Sequence, residues 1–153
     1  TIRFLNVEKC EVVITGRTKH FLSLVGEHLS VDNMNCAIEK ANNHFNISIP
    51  EYTVTGFPYK NYFAHKWYIA TDDNVDSGEL LKFIDDTLKA INDDYATERT
   101  SALSDIFIEI LPEEKFLKFM ELRGKLGSQN KFPRVMKGNM LENWDKFLAT
   151  GKI

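Results

Sequence analysis

Between residues 32 and 45, Met34, Ile38, Ala41 and Phe45 recur at intervals of three or four, with polar side chains between them. That spacing lines one face of an α-helix, so a helix is predicted over residues 32–45. The period then shortens to two. Residues 52–57 and 63–71 are rich in aromatic and β-branched side chains, and Phe63, His65, Trp67 and Ile69 alternate with Ala64, Lys66, Tyr68 and Ala70. Alternation puts the two sets on opposite faces of a strand, and the connection containing Pro58 makes the pair a hairpin with one bulky face. The helical period returns in Leu80, Leu81, Ile84, Leu88 and Ile91, behind Asp76 and Glu79 in capping-box spacing.

Residues 2–5, 12–15 and 20–25 also read as strands, as do residues 106–111. Pro112 followed by Glu113 and Glu114 opens a third helix, and Gly124 stops it. Asn139 and Glu142 form a second capping-box pair ahead of Trp144 and Leu148, predicting a last helix over residues 139–148. The core order is strand, helix, two strands, helix, strand, helix. It predicts an α+β fold, a small two-layer sandwich with helices packed on one face of a mostly antiparallel sheet. The stretch 93–105 is long for a structureless loop and is expected to be partly helical or functional.

Composition narrows the classes. The 153 residues fit one domain, with 43% hydrophobic and 27% charged residues and a formal net charge of −3. That charge balance gives no electrostatic case for nucleic acid or an anionic membrane as partner. No apolar run is long enough to span a bilayer, and no signal-peptide pattern opens the chain. Cys10 and Cys36 are too few for a disulfide framework or a metal knuckle, so a cytoplasmic protein with reduced thiols is the plain expectation. Residue 1 is Thr and strand-like sequence follows at once, which suggests a piece of a longer chain.

Few residues carry obvious chemistry. His20, His28, His44 and His65 have no metal-ligand spacing with one another or with the cysteines, so no metal site is predicted. His65 lies on the bulky face of a strand, where a satisfied core or interface histidine is the expected reading, and His44 stands near a helix C-terminus, suited to the helix dipole. Phosphate loops, nucleophile elbows and dinucleotide fingerprints are missing from the sequence. Two stretches stand out. In GRTKHFLSLVGEHLS, residues 16–30, glycines bracket a strand-like middle. In RGKLGSQNKFPRVMKG, residues 123–138, Arg123, Lys125, Lys131, Arg134 and Lys137 are basic and no acid intervenes. Such a loop can deliver an ammonium or guanidinium to phosphate or carboxylate oxygens, or it can be an ordinary solvated basic loop.

The first stretch resembles the hinge, and the loop after it, of adenylate-forming enzymes, whose pattern Gly16, Arg17, Lys19, Gly26, His28 and Leu29 follow. Together with NDDYATERT at residues 92–100 and RGKLGSQNKFPRV at residues 123–135, it makes the chain similar to the C-terminal part of the auxin-responsive promoter family of acyl-acid amido synthetases. The resemblance implies a swinging C-terminal domain over residues 1–153, with strands over 1–15 leading into a hinge at 16–19 (Gly16, Arg17, Lys19). A large N-terminal adenylation domain, absent from this sequence, would be its partner. The whole enzyme would use ATP and Mg²⁺ to adenylate a carboxylic acid, then transfer the acyl group to an amino acid, and the isolated domain would bind no cofactor and be inactive. Lys131 would be the catalytic lysine reaching the α-phosphate, with His28 and Arg134 as further nucleotide or phosphate contacts. Gly26 and Glu27 would belong to a loop used in the second step, Glu27 as a candidate for polarising the amine. His28 departs from the lysine or arginine that the resemblance implies there, exchanging a fixed charge for a titratable one.

Two other readings start from the same residues. Strand-helix-strand-strand-helix-strand is also the order of ferredoxin-like modules that bind small molecules or regulate. A thioester-forming acyl-CoA ligase would carry a similar C-terminal domain and differ in its product.

Overall fold

The structure is a computed structural model that describes residues 2–6, 9, 11–14, 21–127 and 131–153. The chain runs β1 (Ile2–Asn6), β2 (Glu11–Ile14), β3 (Phe21–Leu22), β4 (Leu29–Ser30), α1 (Val31–Phe45), β5 (Tyr52–Tyr59), β6 (Tyr62–Ala70), α2 (Ser77–Ile91), α3 (Asp93–Glu98), β7 (Leu103–Leu111), α4 (Glu113–Leu122) and α5 (Asn139–Thr150). The two alternating segments form the expected hairpin, antiparallel from Tyr52 opposite Ile69 to Tyr59 opposite Tyr62. β7 then lies parallel to β6 on the hairpin's other side, giving the order β5-β6-β7. Parallel neighbours need a long crossover to bring the chain back to the same end, and α2 with α3 supplies it. In a ferredoxin-like split βαβ arrangement another strand would separate β6 from β7. Here they are direct neighbours, so the chain does not have that fold.

The α+β class holds, but the sheet is mixed and helices cover both of its faces. Trp67 and Ile69 of β6 enter a core with Met34, Ala37, Ile38 and Ala41 of α1 and Leu80, Ile84 and Leu88 of α2. Tyr68 and Ala70 enter a second core with Phe116, Phe119 and Met120 of α4, Phe132 and Met136 of the following segment, and Trp144 and Phe147 of α5. The thinner set of β6 reads as a solvent face because it contains Lys66 and two alanines. In the fold the small Ala70 leaves room for aromatic rings, and the Tyr68 hydroxyl reaches Asp145 on α5 at 3.1 Å. A central strand with a parallel neighbour is commonly buried on both faces.

Local chemistry explains the helix ends. Ser30 caps α1 in a reciprocal box with Asn33, and Asp76 accepts from the Glu79 N–H at 2.8 Å to start α2. α4 stops at Gly124, whose φ of +63° allows the Lys125 N–H to bond the Met120 carbonyl at 2.9 Å and the Gly124 N–H that of Glu121 at 2.8 Å. The expected box at Asn139 is not formed: Gly138 is the N-cap, Asn139 is already helical, and no side chain caps the end. The expected strand over residues 20–25 shortens to β3, because the chain bends at Leu24 and returns as β4. The long stretch after residue 92 resolves into α3 and an early start of β7. Among the described residues no helix is long and apolar enough to cross a membrane.

Candidate functional site

Leu24 marks where the loop between β3 and β4 meets the sheet. Gly56 of β5 leaves it room: a Cβ there would sit 2.3 Å from Leu24 Cδ1. The loop that follows folds around Glu27, which is fully buried. Its carboxylate accepts the Leu24 N–H at 2.9 Å and the Val25 N–H at 3.0 Å, and its Oε1 lies 3.0 Å from Nε2 of the equally buried His65 on β6. Burial alone would raise its pKa, but the hydrogen bonds from His65 and the Val25 and Leu24 amides outweigh it and lower the pKa to about 2. Direct contact between this carboxylate and an incoming amine, as the sequence suggested, does not fit such burial. His65 is the core histidine expected from strand alternation; its acidic partner was not legible, because the two are 38 residues apart.

The loop puts its neighbours at the surface instead. Gly26 has φ +117° and His28 φ +39°. For His28 this is left-handed backbone that side chains other than glycine seldom adopt. Its imidazole is exposed and lies 3.3 Å from Asp94 at the start of α3, while Asn92 donates to its carbonyl at 3.4 Å. A histidine beside a carboxylate is a weaker place for phosphate than one facing only cations.

Residues 92–100, the second stretch of the resemblance, are mainly architectural. Asn92 ends α2 and caps α3, accepting the Tyr95 N–H at 2.8 Å and donating to Asn33 Oδ1 at 3.3 Å. Asp85 of α2, nearly buried, accepts from the Tyr95 hydroxyl at 2.7 Å, Arg99 Nε at 2.9 Å and Lys89 Nζ at 2.5 Å. Burial would push Asp85 up, but Arg99, Lys89 and Tyr95 hold it below the ordinary carboxylate range. Burial and then the neighbouring Asp85 push the Tyr95 phenol well upward, so it stays a donor.

The end of the third stretch, from Arg134 on, lies along the outer edge of β5. Val54 donates to the Arg134 carbonyl at 2.9 Å and accepts from the Met136 N–H at 3.0 Å, a parallel bridge centred on Val135. Phe132 enters the second core, 4.8 Å from the Phe116 ring centroid. Arg134 pairs with Glu51, donates to the Tyr52 carbonyl at 3.1 Å, and lies 4.4 Å over the Tyr52 ring. Its guanidinium is thus engaged within the domain. Lys131 is exposed and makes no hydrogen bond or ion pair among the described residues. One residue after it, the chain is anchored.

The stretches therefore assemble in two places. Residues 24–28 and α3 come together over the first core, whereas residues 134–136, three to five positions after Lys131, lie along the outer edge of β5. Gly56 lies two residues beyond Val54 and four beyond Tyr52, roughly 7–13 Å along the strand. The hinge residues Gly16, Arg17 and Lys19 lie outside the described residues, as does Cys10. Among the described residues no group of three or more His, Cys, Asp or Glu side chains is suited to hold a metal ion.

A mixed three-stranded sheet between helices, with anchored surface loops, defines an α+β domain. The chain belongs to the GH3 family: the family model described as the GH3 family C-terminal domain matches residues 32–139. This agrees with the resemblance read from residues 16–30, 92–100 and 123–135. A solved GH3.15 acyl acid amido synthetase superposes with TM-score 0.71 at 18% identity, covering 90% of this chain and 26% of its own. Another, AtGH3.15 acyl acid amido synthetase in complex with 2,4-DB, gives TM-score 0.65 at 16% identity, covering 88% and 26%. At these identities the likeness is one of fold. The chain spans about a quarter of the length of either solved protein (26%). No curated protein matches the chain.

The depressed pKa of Glu27 has a measurable consequence. A carboxylate held at about 2 instead of its ordinary 4.5 favours the folded state fully above pH 4.5, and that contribution drains away as the pH falls towards 2. Urea unfolding of the chain at stepped pH is expected to show this loss, with a flatter acid limb in Glu27→Gln. An unchanged limb would mean that the carboxylate is not held as described.

Proposed function

We propose that this chain is the mobile C-terminal domain of an ATP-dependent acyl-acid amido synthetase. The observation that carries the reading is the family match over residues 32–139, joined to a solvent-facing Lys131 on an anchored base. In the first half-reaction a substrate carboxylate oxygen attacks the α-phosphorus of ATP, the bond to pyrophosphate breaks, and an acyl-adenylate forms. Negative charge grows on the phosphoryl oxygens, and a preorganised ammonium stabilises it more than it stabilises the ground state. Lys131 supplies that ammonium. In the second half-reaction the amine nitrogen attacks the acyl carbon, the bond to AMP breaks, and the nitrogen gives up a proton. The domain turns about Gly16–Lys19 between the steps, exchanging the Lys131 edge for the loop that carries Gly26 and His28.

ATP, the acid and the amine bind mainly to the larger domain, which is this domain's partner, and the isolated chain does not turn over. Mg²⁺ travels with the nucleotide, and no step here depends on it. The test is acid-dependent exchange of pyrophosphate into ATP by the full-length protein, across a panel of carboxylic acids, followed by product analysis with amino acids and with coenzyme A. Exchange together with an amide product is the expected result. Absence of exchange with every acid defeats the reading, and a thioester product transfers the domain to the acyl-CoA ligases.

A further inference from the structure

The loop between β3 and β4 is built from the inside. Every strong contact in it converges on one buried carboxylate. Glu27 Oε1 and Oε2 are both 2.9 Å from the Leu24 N–H, and Oε2 takes the Val25 N–H as well. Two consecutive amides that would otherwise be orphaned at a bend are thereby satisfied, which holds the bend closed. The remaining contact runs to His65 Nε2, on the central strand of the sheet. His65 Nδ1 is buried and has no hydrogen-bond partner among the described residues. The pair thus ties the loop to the central strand as a clamp.

The clamp determines what the surface presents. Its geometry continues into Gly26 at φ +117° and His28 at φ +39°, a backbone conformation that a histidine keeps only where its surroundings enforce it. Leu24 in the space left by Gly56 and Asn92 on the His28 carbonyl hold the two ends. Between them Glu27 is the only loop side chain that reaches the central strand through hydrogen bonds among the described residues.

We infer that Glu27 and His65 are positioning residues for the amide-forming half-reaction, fixing the loop that carries Gly26 and His28 in the one shape that meets the adenylate. The inference rests on the proposed function and adds to it two residues that do not themselves touch substrate. The substitution Glu27→Gln removes the charge from the clamp but keeps its size: the amide side chain retains one carbonyl acceptor, and its NH₂ faces an N–H donor. The loop then samples other shapes. The Lys131 edge, held by different contacts at Val54 and in the second core, is unaffected.

The experiment compares the full-length enzyme with its Glu27→Gln and His65→Gln variants in two assays. Acid-dependent pyrophosphate exchange reads the first half-reaction, and single-turnover amide formation from preformed adenylate reads the second. For Glu27→Gln, amide formation is expected to fall at least tenfold, in rate and not in the amine concentration giving half-maximal rate, with exchange within twofold of the parent. His65→Gln shows the same selectivity, and it carries the test should Glu27→Gln not fold. Equal losses in both assays would mean a merely structural role and overturn the inference, as would no loss in either. If the parent enzyme itself shows no exchange with any acid, it is the proposed function that has failed.

Discussion

Replacing Lys131 by alanine is expected to slow adenylation by the full-length enzyme by about 10²–10³-fold while leaving the stability of the domain nearly unchanged, within about 0.5 kcal/mol. The two halves of this expectation come from different features. The loss in rate comes from removing a single preorganised cation from a charge that develops on phosphorus. The unchanged stability comes from exposure: Lys131 makes no ion pair among the described residues, and the side chains that hold its segment are Phe132, Arg134 and Met136. Arginine at the same place keeps the charge, but its planar fork does not reproduce the compact ammonium, so partial recovery is expected from Lys131→Arg. Pyrophosphate exchange and urea unfolding measured on the same preparations decide the matter. An alanine variant with full exchange activity removes Lys131 from the mechanism. One that loses activity only in proportion to lost stability makes the lysine a structural residue.

The largest effect on stability is expected at Asp85. Its side chain is 7% exposed and receives Arg99, Tyr95 and Lys89. Asp85→Ala leaves the Tyr95 hydroxyl without an acceptor in the core and the Arg99 guanidinium, 13% exposed, without its carboxylate. Breaking a buried pair from one side costs about 3–5 kcal/mol, because the remaining charge stays desolvated. Lys89, 36% exposed, can turn to water and adds little. Asp85→Asn keeps one acceptor for Tyr95 and is expected to cost less, about 1–3 kcal/mol. Because the pKa of Asp85 is lowered in the fold, its contribution is present above the ordinary carboxylate pKa and is lost as the pH falls below it. The difference between parent and Asp85→Ala should therefore narrow in acid. Urea unfolding near neutral pH and again in acid measures both effects, and a difference constant with pH would show that the charge is not what matters. The effect should spread beyond α3, since Asn92 and Asp94 hold the backbone and ring of His28.

These two sites differ in how far the sequence revealed them. The basic segment around Lys131 was legible because a run of basic residues with glycines and a proline is local information; the role of the lysine came from the family resemblance and stays a proposal. The helices over α1 and α2 and the β5–β6 hairpin were legible for the same reason: their periods of 3.6 and 2 are written in neighbouring residues. Asp85 gave no such signal. It sits among Lys82, Asp86 and Lys89 on a helix, where a charged residue ordinarily faces water, and only the packing of α3 brings Tyr95 and Arg99 onto it. Glu27 misled for a related reason, since a glutamate between glycine and histidine reads as a surface turn until His65 arrives from a distant strand. Arg134 seemed free for phosphate because Glu51 is 83 residues away. The second helical layer was missed because an alanine such as Ala70 reads as indifferent to burial, whereas in the fold it lies in the second core among aromatic side chains.

The bridge from Val135 to Val54 has an effect unrelated to substrates. A strand at the margin of a sheet exposes unpaired amides and carbonyls that can recruit a strand from a neighbouring molecule. On β5 the donor and acceptor of Val54 are already taken by Met136 and Arg134 of the same chain, with the Arg134 charge set beside them. The segment that follows Lys131 thus also blunts a self-association edge, and a change that loosened it would leave the Val54 donor and acceptor open to a neighbouring molecule.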